Sequence, residues 1–421
     1  MIAVGAASPT RPAPRWAWPG PAPTVTPVGT RVVVVVGTRP EVLKLAPVVR
    51  ELRCTVGLEV LVVSTGQHRE ILDRAVADAG IEVDADLGVM AAEQSLAGLT
   101  ARVLQEMSAA LADLDPAVVV VQGDTTSAFA AALAAFYAGV PVAHVEAGLR
   151  TAQVRDPFPE ELNRRLISRI ASVHFCPTVR AAEALLAEGT PPADVIVTGN
   201  TVVDQLHWTA AHGPGRPLFE TALTRVLVTL HRRETQGPVM AGMAEVIAET
   251  ARGGDVEVVV VLHPSPSVRR VLIPVLAGCE RVRLVEPLGH ADFTRALRDC
   301  DLVLTDSGGV QEEAPSFAKP VIVLREVTER SEGIQAGAAT LVGTDPDALR
   351  TAIRAHLDPG RPQPTGPNPY GDGRAAQRII TELHRRHGRI DACAPRSVQT
   401  GATLAPTSRG VRNAGTTRIS V

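Results

Sequence analysis

The chain reads as α/β, with two doubly wound domains facing each other across a cleft. Three observations carry this: short apolar runs alternate with helical patterns, the alternation stops once and restarts, and the ends of the apolar runs carry polar and charged residues. The first series of runs is Val32 to Val36, Val60 to Ser64, Val118 to Gln122, Val140 to Val145 and Val195 to Thr198. Helical patterns such as Glu41 to Arg53 and Leu96 to Leu114 lie between them, which is the rhythm of parallel strands joined by crossover helices. The polar, Gly/Pro-containing stretch Ala211 to Pro217 interrupts it. A second series follows: Val226 to Leu230, Val256 to Leu262, Val282 to Val285, Leu302 to Thr305 and Val321 to Leu324. The expected division is an extension at 1–29, domains at 30–210 and 211–366, a terminal helix at 367–388, and a tail from 389.

Composition agrees with two ordinary cores: 421 residues, 45% hydrophobic. A net charge of -3 and 3% aromatic residues argue against a nucleic-acid partner, since neither a basic excess nor stacking platforms are present. The five cysteines are scattered without C-x-x-C spacing and read as reduced cytoplasmic thiols. The longest apolar run, Ala128 to Val145, contains Gly139 and Pro141 and parses as helix, turn and strand, so no membrane span is expected. The proline-rich first 29 residues lack the pattern of a secretory signal and read as a disordered extension or a start-site artefact. The Ser/Thr/Arg/Gly mixture after about 389 reads as a disordered tail.

The most informative segment is Asp306-Ser307-Gly308-Gly309-Val310-Gln311-Glu312-Glu313. It follows an apolar strand and opens a helix, so its backbone amides can seat a phosphate, while Glu313 can accept hydrogen bonds from a ribose. A Gly-rich turn with acids complementing the helix dipole is the competing reading. The other strand ends add to it. Gly37-Thr38-Arg39-Pro40-Glu41 follows the first strand, placing Pro40 at a helix start and offering Arg39 and Lys44 to negative charge, although Lys44 could equally be a solvated helix residue. Gln67-His68-Arg69, Gly123-Asp124-Thr125-Thr126 and His144 to Arg150 follow later strands, and Pro157 to Arg164 opens a further helix. Asp124, Glu146 and Glu160 thus converge on one rim, with helix capping for Asp124 and a plain first-turn acid for Glu160 as alternatives. In the second half, His231-Arg232-Arg233-Glu234 and His263-Pro264 face the phosphate turn, as diphosphate binding requires. No H-x-x-x-H or clustered Cys/His spacing supports a metal, and no G-x-G-x-x-G supports a nicotinamide cofactor.

With these residues assembled, the chain resembles the non-hydrolysing UDP-N-acetylglucosamine 2-epimerases. The stretches that carry the resemblance are GTRPEVLKLAP (37 to 47), QHREILD (67 to 73), QGDTTS (122 to 127), HVEAGLRT (144 to 151), FPEELNR (158 to 164), TGNTVVD (198 to 204), HRRET (231 to 235), TDSGGVQEEAPSFAKPV (305 to 321), TERSE (328 to 332) and NPYGDG (368 to 373). It implies a Rossmann-like two-domain fold of the glycosyltransferase B type, a homodimer, and reversible epimerisation at carbon 2 of UDP-N-acetylglucosamine without cofactor or metal. By motif position it assigns Asp124, Glu146, Glu160 and His231 to catalysis. It assigns Arg39, Lys44, Arg164, Ser307, Gly308, Gly309 and Glu313 to the sugar nucleotide, and offers Gln67, Arg102 and His263 for a second UDP-N-acetylglucosamine acting as activator. Leu230 and Ser265 depart from the usual pattern and bear most on that activator site. A UDP-sugar glycosyltransferase, a hydrolysing epimerase and a binding-only sensor are the rivals, and the density of acids on the first rim favours epimerisation.

Overall fold

A computed structural model describes residues 29–388 apart from 67, 68, 91–93, 214, 233, 234, 254, 359, 361–363 and 365. The two terminal extensions, Gln67 and Cys393 lie outside the described residues. Runs of β-branched residues dictate the first strand, β1 (Thr30–Val36), in which Val32, Val33, Val34 and Val36 are wholly buried. The chain then runs α1 (Arg39–Cys54), β2 (Leu58–Ser64), α2 (Arg69–Ala79), β3 (Ala85–Asp86), α3 (Leu96–Leu114), β4 (Val118–Gln122), α4 (Thr126–Tyr137), β5 (Val142–Val145), α5 (Glu160–Ile170), β6 (Val173–Cys176), α6 (Val179–Ala187), β7 (Val195–Val197) and α7 (Thr201–His212). These strands form one parallel sheet in the order β3-β2-β1-β4-β5-β6-β7, with helices on both faces.

A second set follows: β8 (Thr224–Thr229), α8 (Pro238–Arg252), β9 (Val256–Val261), α9 (Pro266–Leu276), β10 (Val282–Val285), α10 (His290–Asp299), β11 (Leu302–Thr305), α11 (Gly308–Glu313), β12 (Val321–Val323), α12 (Ser331–Gln335), β13 (Ala339–Leu341), α13 (Pro346–Leu357) and α14 (Ala375–His387). Its six strands are parallel in the order β10-β9-β8-β11-β12-β13. In each sheet the order reverses beside the first strand of its set, and that reversal opens the crevice where polar strand ends collect.

Most expected strands lie within a residue or two of their observed bounds. β5 starts at Val142 instead of Val140, because Gly139 turns the chain at φ +71° and Pro141 has no amide to give the ladder. The short strands β3, β6 and β13 carry too few residues to show a period and went unrecognised in the sequence. The expected boundary at 210 falls inside α7, whose Asn200 cap accepts from the Val202 amide. Among the described residues no helix is long and apolar enough to cross a membrane.

The terminal helix α14 buries Ala376, Ile379, Ile380 and Leu383 in the core of the first sheet beside Val48, Val49 and Leu52 of α1. Its start is capped from α7, where Asp204 accepts from the Ala375 and Ala376 amides at 3.2 and 2.8 Å. Just before it, Tyr370 reaches the second set: its hydroxyl donates to the Arg330 carbonyl and accepts from the Gly333 amide, both at 2.9 Å.

Candidate active site

A cavity of about 600 Å³ lies between the two sets of strand ends. Arg39, Lys44, His231, His263, Ser307, Gly309 and Glu313 line it, together with His290 and Phe293 of α10, which the sequence analysis did not single out.

The turn after β1 is held by Glu41, a buried acid whose carboxylate accepts from the Gly37 and Thr38 amides at 2.8 and 2.6 Å and from Thr125 Oγ1 at 2.6 Å. Burial raises its pKa, and those hydrogen bonds oppose the rise. Gly37 cannot be replaced without conflict, since an added Cβ would sit 2.5 Å from Thr65 Oγ1. This turn and Pro40 start α1, and α1 carries Lys44 into the cavity wall.

Glu146 closes β5 in a left-handed conformation, φ +61°, which costs a non-glycine residue about 1–3 kcal/mol and persists only where the surroundings hold it. They do: Lys44 Nζ donates to both of its carboxylate oxygens at 2.6 and 2.7 Å, and Gln122 Nε2 donates to Oε2. Asp124 at the end of β4 accepts from Arg164 Nε at 3.0 Å and again from the other arm of that guanidinium. Asn163 Nδ2 donates to the Asp124 carbonyl at 2.9 Å, so α5 is docked on this turn. Burial raises the Asp124 pKa, Arg164 opposes the rise, and the nearby Glu146 adds to it. Beneath the turn, burial pushes His144 down to about 3, so it is neutral, and the contact between its Nε2 and the Gly123 carbonyl at 2.7 Å places the proton on that nitrogen. Glu160 heads α5 half-buried, and its side chain makes no hydrogen bond or ion pair to the other described residues.

Across the cavity, Asp306 is fully buried and accepts from the His231 amide at 3.1 and 2.9 Å, the Arg232 amide at 2.8 Å and Thr235 Oγ1 at 3.3 Å, which fixes the turn after β8. The His231 ring stacks on His263 with centroids 5.4 Å apart. The two glycines of the turn after β11 differ. A Cβ on Gly308 would meet the Arg330 guanidinium at 2.6 Å, so its missing side chain makes room for Arg330, whereas Gly309 faces open space in the cavity wall. Arg330 Nε donates to Glu312 at 2.9 Å, and Glu312 stands 3.8 Å from Lys44 Nζ. Glu313 is buried beside Glu312, and both effects raise its pKa, to about 7, against the pull of Lys44 and Arg39.

The structure therefore brings together Arg39, Lys44, His231, His263, Ser307, Gly309 and Glu313 on one cavity, with Asp124, Glu146 and Arg164 in a charged layer behind Lys44. Arg102 lies on α3 outside the cavity wall, and Gln67 is outside the described residues. Leu230 fills the second core and borders the cavity. The Ser265 amide donates to His263 Nδ1 at 3.1 Å, setting that ring's orientation. Gln122, Glu312 and Arg330 lay inside quoted motifs without being chosen. An acidic pair two residues past a Gly-Gly turn, and an amide closing an all-valine strand, were the available signals. Among the described residues no group of three or more His, Cys, Asp or Glu is placed to hold a metal ion.

The family model described as UDP-N-acetylglucosamine 2-epimerase matches residues 50–384. The UDP-N-acetylglucosamine 2-epimerase of Bacillus subtilis is 42% identical over 364 residues, covering 85% of this chain and 96% of that protein. The crystal structure of the Neisseria meningitidis UDP-GlcNAc 2-epimerase bound to UDP-GlcNAc is 38% identical with a TM-score of 0.79, covering 85% of this chain and 100% of that one. A Listeria monocytogenes structure described as a putative enzyme of the same name is 43% identical, with a TM-score of 0.78 and coverage of 85% and 96%.

Proposed function

The chain belongs to the UDP-N-acetylglucosamine 2-epimerase family, and from that premise we propose that it interconverts UDP-N-acetylglucosamine and UDP-N-acetylmannosamine by expelling UDP and adding it back. The proton on carbon 2 of an N-acetylhexosamine has no adjacent carbonyl to stabilise a carbanion, so direct abstraction is prohibitively slow. Loss of that proton to a carboxylate while the bond from carbon 1 to the diphosphate oxygen breaks leaves a carbon 1–carbon 2 double bond, a 2-acetamidoglucal, with the electron pair on departing UDP. Protonation of carbon 2 from the opposite face, with UDP re-adding at carbon 1, gives the epimer. The route needs cations on the leaving group, an acid-base group on each sugar face and a site closed to water.

The observation that carries this reading is the pair of cation-bound carboxylates, Asp124 and Glu146, on one rim, with Lys44 reaching from them into the cavity that the Ser307 to Gly309 turn borders. Arg39, Lys44 and His231 stabilise the departing diphosphate, while Ser307, Gly308 and Gly309 seat it. Glu313 accepts from the ribose. Asp124, Glu146 and Glu160 form the acid-base set, and Arg164 holds Asp124. In deuterium oxide without added NAD, the product should carry deuterium at carbon 2, and prolonged incubation should release 2-acetamidoglucal and UDP. Glu146→Gln should slow that exchange by orders of magnitude while UDP still binds. Product with ordinary hydrogen at carbon 2 would exclude the elimination route.

A second UDP-N-acetylglucosamine beside the first is supported by His263 stacked on His231, and sigmoidal initial rates in this substrate would test it. A homodimer is supported by exposed Phe136 and Tyr137 at the end of α4 and by Phe158, Leu162 and Leu166 at and along the adjacent α5. Cytoplasmic placement is supported by the unpaired state of Cys54, Cys176, Cys279 and Cys300; periplasmic recovery of the protein on cell fractionation would count against it.

A further inference from the structure

Lys44 is engaged by acids of the chain itself. Its ammonium donates to both oxygens of Glu146 at 2.6 and 2.7 Å and lies 3.8 Å from Glu312, and its side chain is largely buried. Burial by itself would lower its pKa. The carboxylates of Glu146 and Glu312 more than offset that, so Lys44 stays a cation and Glu146 its bonded partner. With Gln122 on Oε2 as well, the Glu146 carboxylate accepts three hydrogen bonds. Three of the carboxylate's roughly four lone-pair directions are then taken, two of them by an ammonium, which leaves it a poor base toward a carbon-bound proton.

Lys44 is also in the wall of the cavity that Ser307 and Gly309 share. Glu312 is carried on α11, directly after that turn, and Arg330 pins it from behind at 2.9 Å. The ammonium thus sits between the acid layer and the turn, on a flexible four-carbon stem. We propose that Lys44 changes partner during turnover, leaving Glu146 for the diphosphate so that arrival of the leaving group's charge frees the Glu146 carboxylate to exchange a proton with carbon 2. Glu312, held by Arg330, serves as the intermediate anchor of the ammonium. No proton moves on Lys44 itself: it remains an ammonium, and only its hydrogen-bond acceptors change. This deepens the proposed function and rests on it.

The exchange makes binding of diphosphate compete with the Lys44–Glu146 pair, which a double-mutant cycle on UDP affinity reads without turnover. In the full-length protein, calorimetry should find that Glu146→Gln binds UDP about five- to tenfold more tightly than wild type, because the ammonium no longer has to leave a carboxylate. Uridine, which lacks the diphosphate, should bind both proteins equally. Lys44→Met should weaken UDP by about tenfold or more and leave uridine unchanged, and in its presence Glu146→Gln should bring no gain. If Glu146→Gln does not fold, Glu146→Ala takes its place in the same cycle, with the same gain for UDP expected and none in the Lys44→Met background. Unchanged or weaker UDP binding in Glu146→Gln, an equal gain for uridine, or unchanged UDP binding in Lys44→Met would each overturn the proposal. A wild-type protein that binds no UDP would sink the epimerase reading instead.

Discussion

Glu313 is a carboxylic acid held in surroundings that disfavour its charge. Burial and Glu312 raise its pKa from 4.5 to about 7, so the folded protein holds the proton more tightly than the unfolded chain. For a carboxyl with that direction of shift, the stability it contributes declines as pH rises from about 4.5 to about 7 and stays low above. Glu313→Gln should therefore be more stable than wild type by up to roughly 3 kcal/mol at pH 8, with the difference vanishing near pH 4.5. Urea unfolding at a series of pH values checks this, and a constant difference across the series would contradict it. A site that keeps so costly an acid beside the cavity does so for what the ionised carboxylate accepts, which in the proposed reaction is the ribose.

At the scale of the element, α1 shows how a local rule becomes part of a site. Thr38 before the helix, Pro40 at its start and Glu41 in the capping-box position are legible as a helix beginning. The sequence offers no sign that Glu41 also accepts from Thr125 in the turn after β4, tying together the two strand ends that present Lys44 and Asp124. Glu41→Ala would strand the buried Gly37 amide, the half-buried Thr38 amide and a hydroxyl, at about 2–4 kcal/mol. It should also lower turnover more than UDP affinity, because Lys44 and Asp124 lose their common reference. Equal thermal melting of Glu41→Ala and wild type would contradict this account. The strands tell the opposite story: β4, β10 and β11 lie at their expected bounds because continuous apolar runs between turns leave little choice of position.

At the scale of the molecule, the two sheets are joined at a few buried points. Asn200 Nδ2 donates to Glu312 at 3.2 Å, its amide donates to the Tyr370 carbonyl at 2.6 Å, and α14 fills the first core from the far end of the chain. Assembly is a further level. The exposed apolar residues of α4 and α5 belong to the first sheet's helices, and none of them lines the cavity, although α5 also carries Glu160 and Arg164. Sedimentation equilibrium should give a mass about twice 44.3 kDa for the wild type. Phe136→Glu combined with Leu162→Glu should shift it to the monomer while Lys44 and Glu146 keep their contact. A monomeric wild type would remove the homodimer.

The sequence by itself determined the two rounds of alternating strand and helix, the polar strand ends and the glycine turn, because each depends on periodicity and backbone freedom within a few residues. It also placed Asp124, Glu146 and His231 at strand ends and Lys44 early in the first helix. Only the tertiary structure decided what those groups do to one another. Lys44 and Glu146 are 102 residues apart and meet because β1, β4 and β5 are neighbours in one sheet. The space that Gly308 leaves by having no side chain is taken by Arg330, from beyond β12, so only its backbone is left to the proposed phosphate seat. Hydrogen bonds and desolvation are set by distances, and distances between residues far apart in the chain are created only when the sheets pack.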